Sequence, residues 1–454
     1  MIDQFSLGEL AAELKADLVG KDIMFSQLST DTRTLQPGAA YLALKGENFD
    51  GHQFAAAAQE SGAAALIVER QMDADLPQLL VADSHSALGA IARLNRKRSK
   101  ATVIALTGSQ GKTTVKEMAA SILSTKAKTL ATDANLNNTI GVPLTLLRLG
   151  EEHEFAVIEM GANGAGEIAF SAGVTCPDIA LITNANAAHV EGFGSLAGIV
   201  EAKGEILDSL SEQGVAVLNA DDPNVQRWKD RASHCKPLTF SAAGNSDADV
   251  RAAAVQLSPA GHASFDLQAP EGDVSVELSL VGRHNVSNAL AASTVALVAG
   301  ASLEHVKQGL EQVQPVPGRL ISLPGVRGSR LIDDTYNASP ASFFAAIDVL
   351  AQHSGQKFAL VGDMKELGEE AEQSHAAIGS YAAEKGIDEL LAVGEFAGTV
   401  VNAYGTAGRQ FDSKEAMIDY ASQKANQDVV YLVKGSRGAK MEAVVAGLRA
   451  EGES

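Results

Sequence analysis

Cysteine is scarce: Cys176 and Cys235 are the only two in 454 residues. Two thiols give no disulfide framework, which fits a reducing compartment. Cys176 precedes Pro177 and an apolar run, and it reads as a small core residue rather than a nucleophile. Basic residues are in deficit, with 36 Lys and Arg against 56 Asp and Glu, a net charge of −20. That balance argues against a nucleic-acid surface as the main partner, and solvated acidic faces account for it. No apolar run reaches the roughly 18 residues of a membrane-crossing helix. Met1 to Phe5 show no basic region leading into an apolar one, so no secretory signal is expected and a cytoplasmic location is. There is no internal repeat and no low-complexity tract. What is present is a chain long enough for two or three domains, 46% hydrophobic and with 42 glycines, which suits globular α/β architecture.

The pattern divides into three units, expected at 1–82, 83–314 and 315–454. In the first, Ala40–Leu44 and Ala64–Val68 read as strands, with a helix near Phe54–Ser61 between them. A helix over Ala87–Arg98 ends in the basic run Arg96 to Lys100, expected to be a solvated linker. From Ala101 short apolar runs alternate with helical segments. Phe155–Glu159, Asp178–Ile182 and Val215–Leu218 continue the series, the signature of a doubly wound parallel sheet. Residues 250–281 alternate polar and apolar instead and read as antiparallel strands at the sheet edge, followed by helices over Asn285–Ala299 and Leu303–Gln312. Pro315-Val316-Pro317-Gly318 marks the clearest boundary. Beyond it lies a third α/β unit with strands near Arg330–Asp333, Phe358–Val361, Glu389–Val393 and Val429–Val433.

The most informative segment is Thr107-Gly108-Ser109-Gln110-Gly111-Lys112-Thr113-Thr114, directly after the apolar run Thr102–Leu106 and before a helix that opens near Val115. Glycines between a strand and a helix let backbone N–H groups close around phosphate oxygens. Lys112 would reach the terminal phosphates, and the Thr113 hydroxyl would face a bound Mg²⁺. The spacing is G-x-x-G-K-T-T, shorter than G-x-x-x-x-G-K-[ST], whose first glycine would fall at Leu106.

Other residues acquire meaning from this loop. Glu159 ends an apolar strand, where a carboxylate can hold Mg²⁺ directly or through water, or can be an ordinary strand-end acid. His189 follows the next strand on the same sheet edge, placed for metal or phosphate or for a structural role. Lys203, in Glu201-Ala202-Lys203-Gly204-Glu205, reads on pattern as a solvated helix lysine. Asn285 and Asn288 open a helix, where an amide can read an adenine edge or cap the helix. Arg319, just past the Pro/Gly boundary, can reach phosphates or lie on the surface. Asp334, in Asp333-Asp334-Thr335-Tyr336-Asn337, suits ribose hydroxyls or helix capping. The loops Thr30-Asp31-Thr32-Arg33 and Lys45–His52 could bind a second phosphorylated ligand.

Together these segments resemble the Mur ligases of bacterial cell-wall synthesis over essentially the whole chain. The T-G-x-x-G-K-T-T loop is shared with the wider superfamily that includes folylpolyglutamate synthases. Asn135–Pro143, Gly362–Gly368 and Lys434–Gly438 are similar to the member that adds a D-alanyl-D-alanine dipeptide. The D-N-P-R motif of the sibling that adds the diamino acid is absent. The resemblance implies a central P-loop domain with a mostly parallel doubly wound sheet, between a small α/β N-terminal domain and a Rossmann-like C-terminal domain. It implies that ATP phosphorylates the terminal carboxylate of a UDP-N-acetylmuramoyl-tripeptide, and that the amine of D-Ala-D-Ala attacks the acyl phosphate. Two Mg²⁺ ions are implied, with Thr113, Glu159, His189 and Lys203 as ligands, the lysine as a CO₂-derived carbamate. Catalytic roles are implied for Lys112, Lys203, His189 and Glu159. ATP contacts are implied for Gly108 to Thr114, Asn288, Arg319 and Asp334. Thr32 and Arg33 match the UDP-sugar loop, Asn137 and Asn138 lie near the substrate, and Tyr336 and Asn337 lie near the acceptor. A monomer is the default expectation. Sibling ligases, a folylpolyglutamate synthase, or a nucleotide-binding switch or transport ATPase are the alternatives. The absence of the guanine-reading N-K-x-D weakens a GTPase version.

Overall fold

Three large sheets, beside two small two-stranded ones, follow one another along the described chain, each large one built from the apolar runs that the sequence sets between polar turns. The computed structural model describes residues 1–46, 49–186, 190–258 and 261–450. The first sheet has five short strands in the order Asp17–Val19, Gln78–Leu80, Ala65–Val68, Ala40–Leu42, Leu28–Ser29, antiparallel only at the 17–19 edge. Helix Ser84–Arg98 then leads out of it, capped by the Asp83 carboxylate on Ser86 N.

The central sheet has nine strands. Thr129–Ala131, Phe155–Glu159, Thr102–Thr107, Ile179–Ile182, Val215–Asn219, Lys236–Ser241 and Val250–Leu257 run parallel in that order. His262–Ala269 and Gly272–Val281 add an antiparallel edge. The inner strands are buried on both faces, which is why they read as continuous rather than alternating apolar runs. Helices 112–124 and His284–Val298 cover one face, and 84–98 with Glu167–Thr175 cover the other. The third sheet has six strands in the order Ile321–Pro324, Arg330–Asp334, Val429–Lys434, Gln356–Gly362, Glu389–Val393, Gly408–Phe411, parallel except at the 321–324 edge. Mixed α/β architecture with a mostly parallel central sheet is therefore observed.

Two sequence expectations are corrected here. Arg96 and Arg98 are not in a solvated linker. Both sit in the last turn of helix 84–98, and Arg96 is 8% exposed. Arg96 donates to the Thr175 and Cys176 carbonyls and pairs with Asp178 at 2.9 Å, while Arg98 holds the Ile2 and Gln4 carbonyls and the Glu9 carboxylate. Guanidiniums spread over several carbonyls tie the N-terminal segment and the central sheet to one helix. Asn285 and Asn288 do not cap helix 284–298. Its N-cap is Arg283 without a side-chain bond, and both amides are buried, Asn285 Nδ2 on Val281 O and Asn288 Nδ2 on Asn285 Oδ1. No described helix is long and apolar enough to cross a membrane.

Candidate active site

The strand 102–107 must turn sharply into helix Lys112–Ser124, and two glycines make the room. Gly111 adopts φ +78°, and a Cβ there would stand 2.4 Å from Asn288 Oδ1. A Cβ on Gly108 would stand 1.8 Å from Thr183 Oγ1. The loop is tied to the segment that follows strand 179–182. Ser109 N donates to Asn184 O at 3.0 Å, Gln110 N to Asn184 Oδ1 at 2.9 Å, Thr183 Oγ1 to Gln110 O at 2.7 Å and Ser109 Oγ to Asn186 O at 2.9 Å. Asn219 and Asp222 hold that segment in turn, through Thr183 O and Ala185 N. These bonds fix the loop's shape before any phosphate arrives, leaving the first N–H groups of helix 112–124 facing the cavity. Lys112 Nζ donates to Gly108 O at 2.7 Å, and burial lowers its pKa against the opposing pull of Glu159.

Glu159, at the carboxyl end of strand 155–159, is 1% exposed. Its Oε1 accepts from Asn137 Nδ2 at 2.8 Å and from Thr113 Oγ1 at 3.3 Å, while Oε2 is buried with no hydrogen-bond partner. A buried carboxylate oxygen without a donor is costly unless a cation meets it. A carboxylate beside a threonine hydroxyl is an all-oxygen set of the kind Mg²⁺ takes, so these residues fit the implied metal. Lys203, in helix Leu196–Gly204, is buried, not solvated as its sequence pattern suggests. Burial, reinforced by repulsion from Lys112, pushes its pKa well below the usual lysine value. His189 lies outside the described residues. Among the described residues no three His, Cys, Asp or Glu side chains gather as a metal cluster.

The opposite wall comes from beyond the Pro315–Gly318 boundary. Arg319 Nη2 donates to Thr113 Oγ1 at 3.1 Å, its guanidinium carbon lies 4.2 Å from the Tyr336 ring centroid, and its Nε is buried and unpartnered. Gln110 Nε2 reaches Ser339 Oγ at 3.1 Å across the same divide. Asp334 is paired at 2.5 Å with Lys434, which also donates to Asn337 O at 3.0 Å. Sequence reasoning gave no role to Lys434, Thr183 or Asn184. The Asn184-Ala185-Asn186 run on the same sheet edge as the phosphate loop is the signal that could have found the last two.

One cavity of about 800 Å³ gathers Gly108 to Thr114, Asn137, Asn138, Glu159 and Lys203 with Asn288, Arg319, Asp334, Tyr336 and Asn337. Thr32 and Arg33 are not part of it. They lie after strand 28–29, with Arg33 exposed and paired to Asp31 at 2.6 Å. Asn138 also closes the turn into helix Gly141–Leu147, accepting from Ile140 N and Gly141 N.

Family models match three successive stretches: the Mur ligase family catalytic domain over 25–105, the Mur ligase middle domain over 106–296, and the Mur ligase glutamate ligase domain over 318–437. The chain belongs to the Mur ligases. This Mur ligase is 47% identical over 450 residues to the UDP-N-acetylmuramoyl-tripeptide–D-alanyl-D-alanine ligase of Escherichia coli strain K12, covering 98% of this chain and 99% of the relative. Its fold is similar to a crystal structure of MurF from Acinetobacter baumannii (TM-score 0.93, 38% identity, 98% of each chain). It is also similar to MurF from Thermotoga maritima in complex with ADP (TM-score 0.83, 30% identity, 93% of this chain and 96% of that one).

Proposed function

We propose that this Mur ligase joins D-alanyl-D-alanine to the terminal carboxylate of UDP-N-acetylmuramoyl-tripeptide, at the expense of ATP, giving the pentapeptide precursor, ADP and phosphate. The observation that carries the reading is full-length likeness to ligases named for that reaction, in a chain whose phosphate loop, buried Glu159 and last-domain residues share one cavity. Residues 1–82 are assigned to the UDP-sugar, with Thr32 and Arg33 on it. Residues 83–314 are assigned to ATP, and 315–454 to completing the ATP site and presenting the acceptor near Tyr336 and Asn337.

The chemistry has two transfers. A donor carboxylate oxygen attacks the terminal phosphorus of ATP, ADP leaves, and an acyl phosphate forms. The acceptor's neutral amine then attacks the acyl carbon. The tetrahedral intermediate expels phosphate, and the nitrogen's surplus proton passes to solvent or to that phosphate. Charge builds on non-bridging oxygens in both steps, so preorganised cations and N–H groups are what lower the barriers. Lys112 and the amides of Gly108 to Thr114 take the β- and γ-phosphates. Arg319 adds a guanidinium from the other side, and Asn288 and Asp334 hold the nucleoside end.

Two Mg²⁺ ions would be held by Thr113 and by Glu159, His189 and Lys203, and when bound they screen the triphosphate and the attacked carboxylate from each other. A cationic Lys203 would repel such an ion. Burial beside Lys112 favours the neutral amine instead, and a neutral amine adds to CO₂, forming a C–N bond and releasing one proton. The resulting carbamate is an anionic oxygen ligand.

Phosphate release from ATP measured with UDP-muramoyl-tripeptide, with and without D-Ala-D-Ala, tests the function. Release requiring both substrates, with a pentapeptide product, is expected. Release indifferent to either would discard the ligase reading in favour of an ATPase. Because Arg319 and Gln110 bridge the two walls, closure about Pro315–Gly318 is also expected when an ATP analogue and the UDP-substrate bind. Solution scattering should show a smaller radius of gyration, and an unchanged one would count against closure.

A further inference from the structure

Strand 129–131 stops one rung short. It lies at the edge of the central sheet with Ala131 opposite Val157, and Thr132 N still donates to Val157 O at 3.1 Å. The next rung of a parallel ladder would run from Glu159 N to Thr132 O. Both groups are paired elsewhere instead. Glu159 N donates to Thr132 Oγ1 at 2.9 Å, and Thr132 O accepts from Lys116 Nζ at 2.7 Å. Lys116 is 2% exposed and Thr132 1%. The ammonium also pairs with the Glu117 carboxylate of its own helix at 2.6 Å.

The diversion takes the chain out of the sheet and across the end of the neighbouring strand. Leu136 N closes a turn on Asp133 O at 3.0 Å, and Ala134 within it has φ +46°. Asn137 then comes back onto strand 155–159. Its Nδ2 donates to Glu159 Oε1 at 2.8 Å, and its carbonyl accepts from Gly161 N at 2.7 Å. Gly161 permits the approach, since a Cβ on it would stand 3.2 Å from Asn137 Cγ. Residues 132–137 thereby hold Glu159 at both ends, its amide through Thr132 and its carboxylate through Asn137.

Lys116 follows Thr113 by three residues on helix 112–124, so the two share a face. Thr113 meets the Glu159 carboxylate directly at 3.3 Å, and Lys116 reaches the same residue through Thr132. Neither Lys116 nor Thr132 is among the residues that line the cavity, so this amine touches no reactant. Burying an ammonium on a helix face is costly, and a methionine would fill the same space. What the ammonium adds is a charge-assisted bond that keeps Thr132 O from Glu159 N.

We propose that Lys116 is a positioning residue for Glu159. By taking Thr132 O it releases Glu159 N to the Thr132 hydroxyl and sets Asn137 on Glu159 Oε1, which leaves Oε2 free for a cation. This rests on the ligase reading only where turnover is measured. The test uses Lys116→Met, Thr132→Val and Thr132→Ser. Lys116→Met is expected to fold, as thermal melting would show, because Thr132 O can then take the missing rung from Glu159 N. Its turnover should fall about 10- to 100-fold, the scale of losing an outer partner of a metal ligand. Calorimetric titration with a non-hydrolysable ATP analogue should give a Kd within about twofold of wild type without Mg²⁺, while the tightening that Mg²⁺ brings should shrink about tenfold. Thr132→Val should behave alike, and Thr132→Ser, which keeps the hydroxyl, should retain most of the turnover that Thr132→Val loses. A folded Lys116→Met with wild-type turnover and Mg²⁺ response overturns the proposal. So does an equal loss of analogue binding with and without Mg²⁺, the mark of a merely structural role. If Lys116→Met does not fold, the Thr132 pair decides, and equal turnover in its two variants overturns the proposal. Failure of wild type to couple D-Ala-D-Ala would overturn the ligase reading instead, and the calorimetric comparison would still decide the role of Lys116.

Discussion

Lys203→Ala is expected to lower turnover by about 1,000-fold or more, the scale of losing a principal electrostatic contact to the developing charge. The argument turns on where the fold puts this amine. Helix 196–204 buries it to 6% exposure, with Lys112 as its charged neighbour and, among the described residues, no carboxylate paired with it. A cation there would be desolvated and repelled, so a lysine kept only as a cation would be a poor choice for the position. As the base of the proposed carbamate it would supply an anionic oxygen ligand beside Glu159. Glu159 is buried at this end of the sheet, and one of its oxygens has no hydrogen-bond partner. Formate or acetate, added at high concentration, should restore about a hundredth to a tenth of the lost rate, because a diffusing carboxylate lacks the effective concentration of a tethered one. Rescue should fail for larger carboxylates that cannot enter the space left by the side chain. Full activity in the unrescued variant would remove the carbamate from the mechanism.

Lys203 also marks where sequence reasoning stopped. Its neighbours Glu201 and Glu205 give a charged local pattern that reads as solvent-facing, and only packing against the phosphate-loop region buries it. Arg96 and Arg98 misled in the same direction, since a basic run looks solvated until the carbonyls it meets are known, and those come from residues up to 96 positions away in the chain. Short elements such as 129–131, 321–324 and 408–411 escaped because three or four residues carry no period to read. By contrast, the phosphate loop was legible because its strand, glycines and helix are contiguous and each has a local physical reason. The antiparallel edge at 250–281 was legible because its faces alternate.

Gly108→Ala is expected to reduce ATP affinity and turnover by about 100-fold or more while the three sheets stay folded. The new methyl would lie 1.8 Å from Thr183 Oγ1, 3.1 Å from Thr183 Cβ and 3.3 Å from Asn184 N. No rotamer of the alanine avoids this, because a methyl has none to choose. Strain of about 1–3 kcal/mol must go into moving one segment off the other. The segment that moves is bonded to the loop through Thr183, Asn184 and Ser109, so displacement turns the loop's N–H groups away from the phosphates they are set to meet. Thr183→Ala in the same chain removes the nearest colliding atom and should recover part of the ATP affinity. Recovery would stop short of wild type, because the 2.7 Å bond from Thr183 Oγ1 to Gln110 O goes with it, a loss of about 1 kcal/mol. Calorimetric titration with an ATP analogue across wild type, both single variants and the double variant decides the matter. If the double variant binds no better than Gly108→Ala alone, the collision is not what holds glycine at this position. If Gly108→Ala binds ATP as wild type does, the loop does not owe its shape to the segment it is tied to.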